Sequence, residues 1–148
     1  MDTPSIRVVL VSHGEQSKGM LNTVQMLLGP QENIAAYSLY PDSTVDDFTA
    51  LLRAEVEQYG AENIVFLSEL RQGSPFNALV ALTRDYDIHH ITGTNMAMLM
   101  QVIIDRDDEG VTAEDLCDAA IEASETSILD VRKFFKEQAE DDDEEEDL

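Results

Sequence analysis

The feature that most constrains this chain is a repeated alternation of two hydrophobic periods. Residues 6–11, IRVVLV, form a continuous apolar run broken only by Arg7. Runs of this length suit strands buried on both faces. Gly14 ends the run, and Met20, Val24, Met26, Leu27 and Leu28 then recur at near-helical spacing until Gly29-Pro30 stops them. A second strand follows at residues 34–39, closed by Pro41-Asp42. Ser43 or Thr44 can cap a helix with the stripe Val45, Phe48, Leu51, Leu52, Val56, ending at Gly60. Residues 64–68 read as a third strand, with Ser74-Pro75 opening a helix to Leu82. Residues 88–92 read as a fourth strand, with a helix from Asn95 or Met96 to about residue 104.

Strand and helix alternate four times, which predicts an α/β fold: a doubly wound, mainly parallel four-stranded sheet with helices on both faces. With strand two on one side of strand one and strand three on the other, the order is 2-1-3-4. After Gly110, Thr112 can cap a further helix with Glu114 and Asp115 in its first turn. Residues 127–135 either extend that helix or form a fifth, C-terminal edge strand, for which their Lys and Arg residues are suited.

The 148 residues fit one domain, read here as residues 1–135 with an acidic, disordered tail at 136–148. That tail carries an unbroken run of eight acids from Glu140 to Asp147 within a net charge of −22. A body this acidic repels phosphate backbones, which argues against nucleic acid, and favours partners with a basic face. One cysteine, Cys117, excludes an internal disulfide and suits a reducing cytosol. The first residues are short and polar, without a signal peptide, and no apolar run approaches the ~18 residues of a membrane span. A cytoplasmic location is the expectation.

In a doubly wound sheet, ligands bind beyond the carboxyl ends of the strands, where the strand order reverses. Here that point falls between strands one and three. His13 ends the first and Glu69 follows the third, so topology makes neighbours of residues remote in sequence. Ser74 reads as an N-cap, Pro75 as a first-turn residue, and Gly73 as the place where backbone can turn and approach a ligand. A helix N-terminus then faces the same crevice and forms an anion site. Ser12 and Ser74 add hydroxyls, and Lys18 a nearby charge.

Other chemistries lack their parts. The chain has no GxxxxGK[ST] or GxGxxG, no GxSxG elbow and no Cys/His cluster with zinc spacing. No metal or cofactor is expected. What remains suits an imidazole that itself takes up a phosphoryl group. A carboxylate holding one ring N–H fixes the tautomer, leaves the other nitrogen as nucleophile and stabilises the cation formed. Adjacent strand residues point to opposite faces, so His89 and His90 cannot both meet one ligand, and neither is given a role. Cys117 reads as a small core residue. The Met96, Met98 and Met100 group reads as helix packing.

The stretches VVLVSHGEQSKGMLNTVQMLLGPQENI, NIVFLSELRQGSPFNAL and ITGTNMAMLMQVI resemble the enzyme IIA component (EIIA) of the mannose family of the bacterial sugar phosphotransferase system (PTS), over roughly residues 6–135. SHG, GSPFN and ITGxN together carry the likeness. It implies a phosphohistidine carrier that accepts a phosphoryl group from the phosphocarrier HPr. The group passes to a cognate enzyme IIB, and sugar enters through the membrane components IIC and IID. It also implies that His13 reacts at Nε2, Glu69 orients the ring, and Ser74 lies near the phosphoryl group. A homodimer, in some members made by exchanging the C-terminal strand, is implied as well. The family often reads D-x-x-G-G-S-P-F-N; here Glu69 replaces Asp and Gln72 replaces the first Gly. Two other readings stay open at this stage. One is a stand-alone regulatory module whose phosphorylation state a partner senses. The other is a non-catalytic domain binding phosphate or a sugar phosphate at the Ser74 helix end.

Overall fold

The computed structural model describes residues 3–146. Strands β1 (Arg7–His13), β2 (Ile34–Leu39), β3 (Ile64–Ser68) and β4 (His89–Thr92) form one parallel sheet in the order β2-β1-β3-β4. The two central strands, β1 and β3, have the near-continuous apolar sequences that burial on both faces requires.

Residues on alternate sides of the pleat feed two cores. Val8, Leu10, Val65 and Leu67 pack with α1 (Gln16–Leu28), α4 (Met96–Asp105) and α5 (Ala113–Ser127). Val9, Val11, Ile64 and Phe66 pack with α2 (Val45–Tyr59) and α3 (Ser74–Leu82). Met98 is buried in the first core and Met96, Met100 and Cys117 pack against it. Burial pushes the Cys117 thiol up to about 11.

Charge is buried at the amino ends of the strands, where Arg7 is ion-paired and Arg106 is hydrogen-bonded to neutral oxygens. Arg7 donates to Glu55 at 2.5 and 2.9 Å and lies over the Tyr59 ring. The Tyr37 hydroxyl also donates to Glu55, and burial followed by that bond pushes the phenol up to about 12. Arg106, 2% exposed, donates to the carbonyls of Ile6, Asn33 and Glu32 and to Gln31 Oε1. It thereby ties the end of α4 beneath β1 and β2.

The C-terminal region differs from the sequence reading. Residues 127–135 supply no fifth strand: α5 ends at Ser127, and a separate helix, α6 (Val131–Glu146), follows. The tail expected to be disordered from residue 136 is helical as far as Glu146; Asp147 and Leu148 lie outside the described residues. Lys, Arg, Glu, Gln and Ala are strong helix formers, and Asp130 caps the helix by accepting from the Lys133 N–H at 3.1 Å. Packing contributes little, since every side chain from 125 to 144 is exposed. The basic residues Arg132 and Lys133 stand at the start of α6 and the acids at its end, the reverse of what the helix dipole favours.

Candidate functional site

β1 runs two residues further than its apolar stretch and ends on His13, whose side chain is 48% exposed. Val9, Val11 and His13 alternate onto the α2–α3 face, so the imidazole turns toward the start of α3. β3 ends at Ser68, and Glu69 leaves the sheet beside His13. The order β2-β1-β3-β4 therefore brings together two residues 56 positions apart. Glu69 Oε1 accepts hydrogen bonds from both the His13 backbone N–H and ring Nδ1. With the proton held at Nδ1, the lone pair lies on Nε2.

Gly73 and Ser74 are where the sequence places them, in roles that differ. Gly73 is the N-cap of α3, and Ser74 is its first helical residue with Pro75 second. Gly73 has φ −77°, which any residue adopts, so turning is not what requires glycine. Close approach is: a Cβ there would stand 2.9 Å from His13 Cε1 and 3.8 Å from Nε2. The left-handed conformation falls instead on Gln72, at φ 68°.

A glycine N-cap has no side chain, and α3 begins without a capping hydrogen bond. The first turns of the other helices each receive a side-chain oxygen: Ser12 for α1, Thr44 for α2, Asn95 for α4, Thr112 for α5 and Asp130 for α6. The first N–H groups of a helix have no partner within it. Of the α-helices α1 to α6 among the described residues, α3 is therefore the one whose first turn meets no side-chain oxygen, and it starts beside His13. Its N–H groups and the positive end of its dipole are available to oxygens of an anion at Nε2.

Ser12 does not share that task. It is fully buried on the opposite face of β1, and its hydroxyl accepts from the Ser17 N–H at 2.8 Å. Consecutive strand residues cannot face one ligand, so Ser12 anchors α1 and fixes the Gly14–Glu15 turn after His13. Lys18 is occupied by the Tyr40 hydroxyl at 2.9 Å, and that hydroxyl donates to Glu15. Arg71 is exposed on the rim. Sequence reasoning missed the polar group beneath the pair: Ser68, His90, Thr92 and Thr94. Its signal was the lone serine closing the apolar strand IVFLS, next to Glu69.

Fold and site together define a doubly wound domain with an imidazole–carboxylate pair at its switch point, set against an open helix start. The family model described as PTS system fructose IIA component matches residues 7–121. The chain belongs to this family of PTS EIIA components. It is 30% identical over 107 residues to the mannose-specific EIIAB component of Escherichia coli K12, covering 71% of this chain and 33% of that protein. The chain thus spans about a third of the length of that relative. It is 26% identical over 113 residues to the sorbose-specific EIIA component of Klebsiella pneumoniae, covering 76% and 82% of the two chains. Among solved structures, a PTS component EIIA from Streptococcus agalactiae superposes with a TM-score of 0.78 at 30% identity. That match covers 86% of this chain and 98% of the other. The mannose/sorbose-specific IIA subunit from Enterococcus faecalis, at 20% identity and a TM-score of 0.75 over 84% and 93% of the chains, shares the fold. No helix among the described residues is long and apolar enough to cross a membrane.

Proposed function

We propose that this chain is a phosphohistidine carrier of a sugar phosphotransferase system, with His13 Nε2 as the atom that holds the phosphoryl group. The supporting observation is the uncapped start of α3 lying beside a ring whose Nδ1 is already engaged by Glu69. In the transfer, the Nε2 lone pair forms a bond to phosphorus as the bond to the donor's leaving atom breaks. The departing electron pair stays with the donor. The imidazole becomes cationic, and the Glu69 carboxylate at Nδ1 balances that charge. N–H groups at the start of α3, with Ser74, hold the phosphoryl oxygens, and Gly73 makes room for them.

In this reading the donor is HPr and the acceptor a cognate enzyme IIB. IIC and IID carry the sugar, and the carrier works in the cytoplasm as a homodimer. The carrier domain is residues 1–135, and the acidic segment is an appendage. A ring that is 48% exposed suits successive macromolecular partners, each of which must bring its own reacting atom to Nε2.

The test is incubation with phosphoenolpyruvate, enzyme I and HPr, followed by intact-mass spectrometry. One phosphoryl unit, acid-labile and base-stable, is expected on the wild type and none on His13→Ala. Equal labelling of the variant overturns the assignment. Phosphate that binds without any covalent gain in mass would point to a non-covalent anion domain. Label that never moves to an enzyme IIB would point to a phosphorylation sensor.

A further inference from the structure

Beneath the His13–Glu69 pair lies a second imidazole that the proposed transfer does not use. His90 is paired with Phe66 across β3 and β4, and Thr92 with Ser68. His90 Nε2 lies 2.7 Å from Ser68 Oγ, which donates to Thr92 Oγ1 at 2.9 Å and so receives the His90 proton. The Ser68 carbonyl accepts from both the backbone N–H and the hydroxyl of Thr94, at 3.1 and 2.7 Å. Ser68 is the residue immediately before Glu69. On its other side the His90 ring packs against Phe76 in the first turn of α3, with centroids 5.2 Å apart and planes tilted by 50°. His90 thus touches the residue that sets where Glu69 leaves the sheet and the helix turn that faces Nε2.

We propose that His90 is a positioning residue for the His13–Glu69 pair, holding the end of β3 and the start of α3 in register through Ser68 and Phe76. The proposal rests on the reading of His13 as phosphoryl acceptor. A glutamate has several rotatable bonds, so one oxygen meets two His13 donors only if its backbone is fixed from behind. Misplacement of reacting groups by about 1 Å can cost ~100-fold in rate. Ser68, Thr92 and Phe76 bring no charge to His90. Burial alone pushes its pKa down to about 4, so the ring stays a neutral hydrogen-bonding group near neutral pH. A purely apolar side chain would fill the space against Phe76 without holding Ser68.

The test compares full-length wild type, His90→Phe, His90→Gln and Ser68→Ala by two readouts. The first is the nitrogen NMR signature of unphosphorylated His13, which reports the proton on Nδ1 and the free Nε2. The second is the rate of phosphorylation by HPr. His90→Phe and Ser68→Ala are expected to mix the two His13 tautomers and slow transfer by about 10-fold or more. His90→Gln, whose amide reaches Ser68, recovers most of the rate. If His90→Phe and Ser68→Ala lower only the melting temperature and leave tautomer and rate unchanged, the proposal is overturned. It is equally overturned if His90→Gln is as impaired as His90→Phe. Should His90→Phe not fold, Ser68→Ala and His90→Gln carry the comparison. A wild type that takes no phosphoryl group from HPr would sink the carrier reading, while the tautomer readout still decides the role of His90.

Discussion

One oxygen of Glu69 serves two donors of His13, its backbone N–H and its ring Nδ1. The carboxylate therefore fixes both the place of the residue and the direction of its ring. A glutamate stands where the family often has the shorter aspartate, and it reaches both donors from the position immediately after β3.

That arrangement makes the charge of Glu69 separable from its shape. Glu69→Gln keeps the length and an accepting oxygen but loses the charge that balances the phosphorylated ring. A hydrogen bond to a charged group contributes about 1.5–3 kcal/mol, so transfer should slow by roughly 10–100-fold. Glu69→Asp keeps the charge and should lose less, below about 10-fold. Single-turnover phosphorylation by HPr measures both; a Gln variant as fast as wild type would refute the electrostatic role.

Gly73→Ala places a methyl group 2.9 Å from the His13 ring. The ring is held by Glu69 and must tilt away from the start of α3. Phosphorylation should fall by about 100-fold with little change in thermal stability, because the backbone angles at this position suit alanine. A variant that reacts normally would show that the helix start is not where the phosphoryl group sits.

Gln72→Gly tests the neighbouring backbone. Gln72 holds φ 68°, which penalises a side chain by about 1–2 kcal/mol, while glycine adds unfolded-state entropy. The net gain should be about 0.5–1 kcal/mol, read as a rise of roughly 2–4 °C in Tm. No gain would mean that the loop relaxes elsewhere.

His90 links stability to pH. Its pKa moves from 6.5 to about 4 on folding, through burial. Between those values the unfolded chain holds the extra proton, so stability rises with pH across the window. The contribution is complete above about 6.5 and is lost as pH falls toward 4, amounting to about 3 kcal/mol. Denaturant titrations of wild type and His90→Phe at several pH values should show a steeper rise in the wild type, the difference between the two being the His90 contribution. Parallel curves would exclude it.

The sequence made much of this arrangement legible, for definite reasons. The apolar run of β1 and the breaks at Gly14, Gly29 and Gly60 mark the alternation that dictates the sheet, and the sheet dictates that His13 meets Glu69. Ser12 precedes His13 in a strand, so the two-residue period that separates His89 from His90 also turns the Ser12 hydroxyl to the face opposite the imidazole. Whether Gly73 or Ser74 caps α3 depends on a single pair of backbone angles that no pattern reports. Residues 127–135 mix apolar and charged residues in a way that suits an edge strand or an exposed helix, and one chain offers them no packing partner to decide. The His90–Ser68 bond joins two strands through side chains, a relation that periodicity does not carry.

Because the described side chains of α6 are all exposed, ending the chain at residue 130 should leave the stability of the remaining fold within about 0.5 kcal/mol. Chemical denaturation measures this. A loss above about 1 kcal/mol would mean that the helix packs against something, a second copy included.

The two ends of the sheet answer to different pressures. At the end where the strands begin, Arg7, Glu55 and Arg106 are locked to partners, and a substitution there would reduce how much folded protein a cell retains. At the end where they finish, His13 and the start of α3 are left open, and a substitution there would change how fast each surviving molecule works. Defects of dosage and defects of turnover should therefore sort by pole, and variants from the two groups should combine without compensating one another.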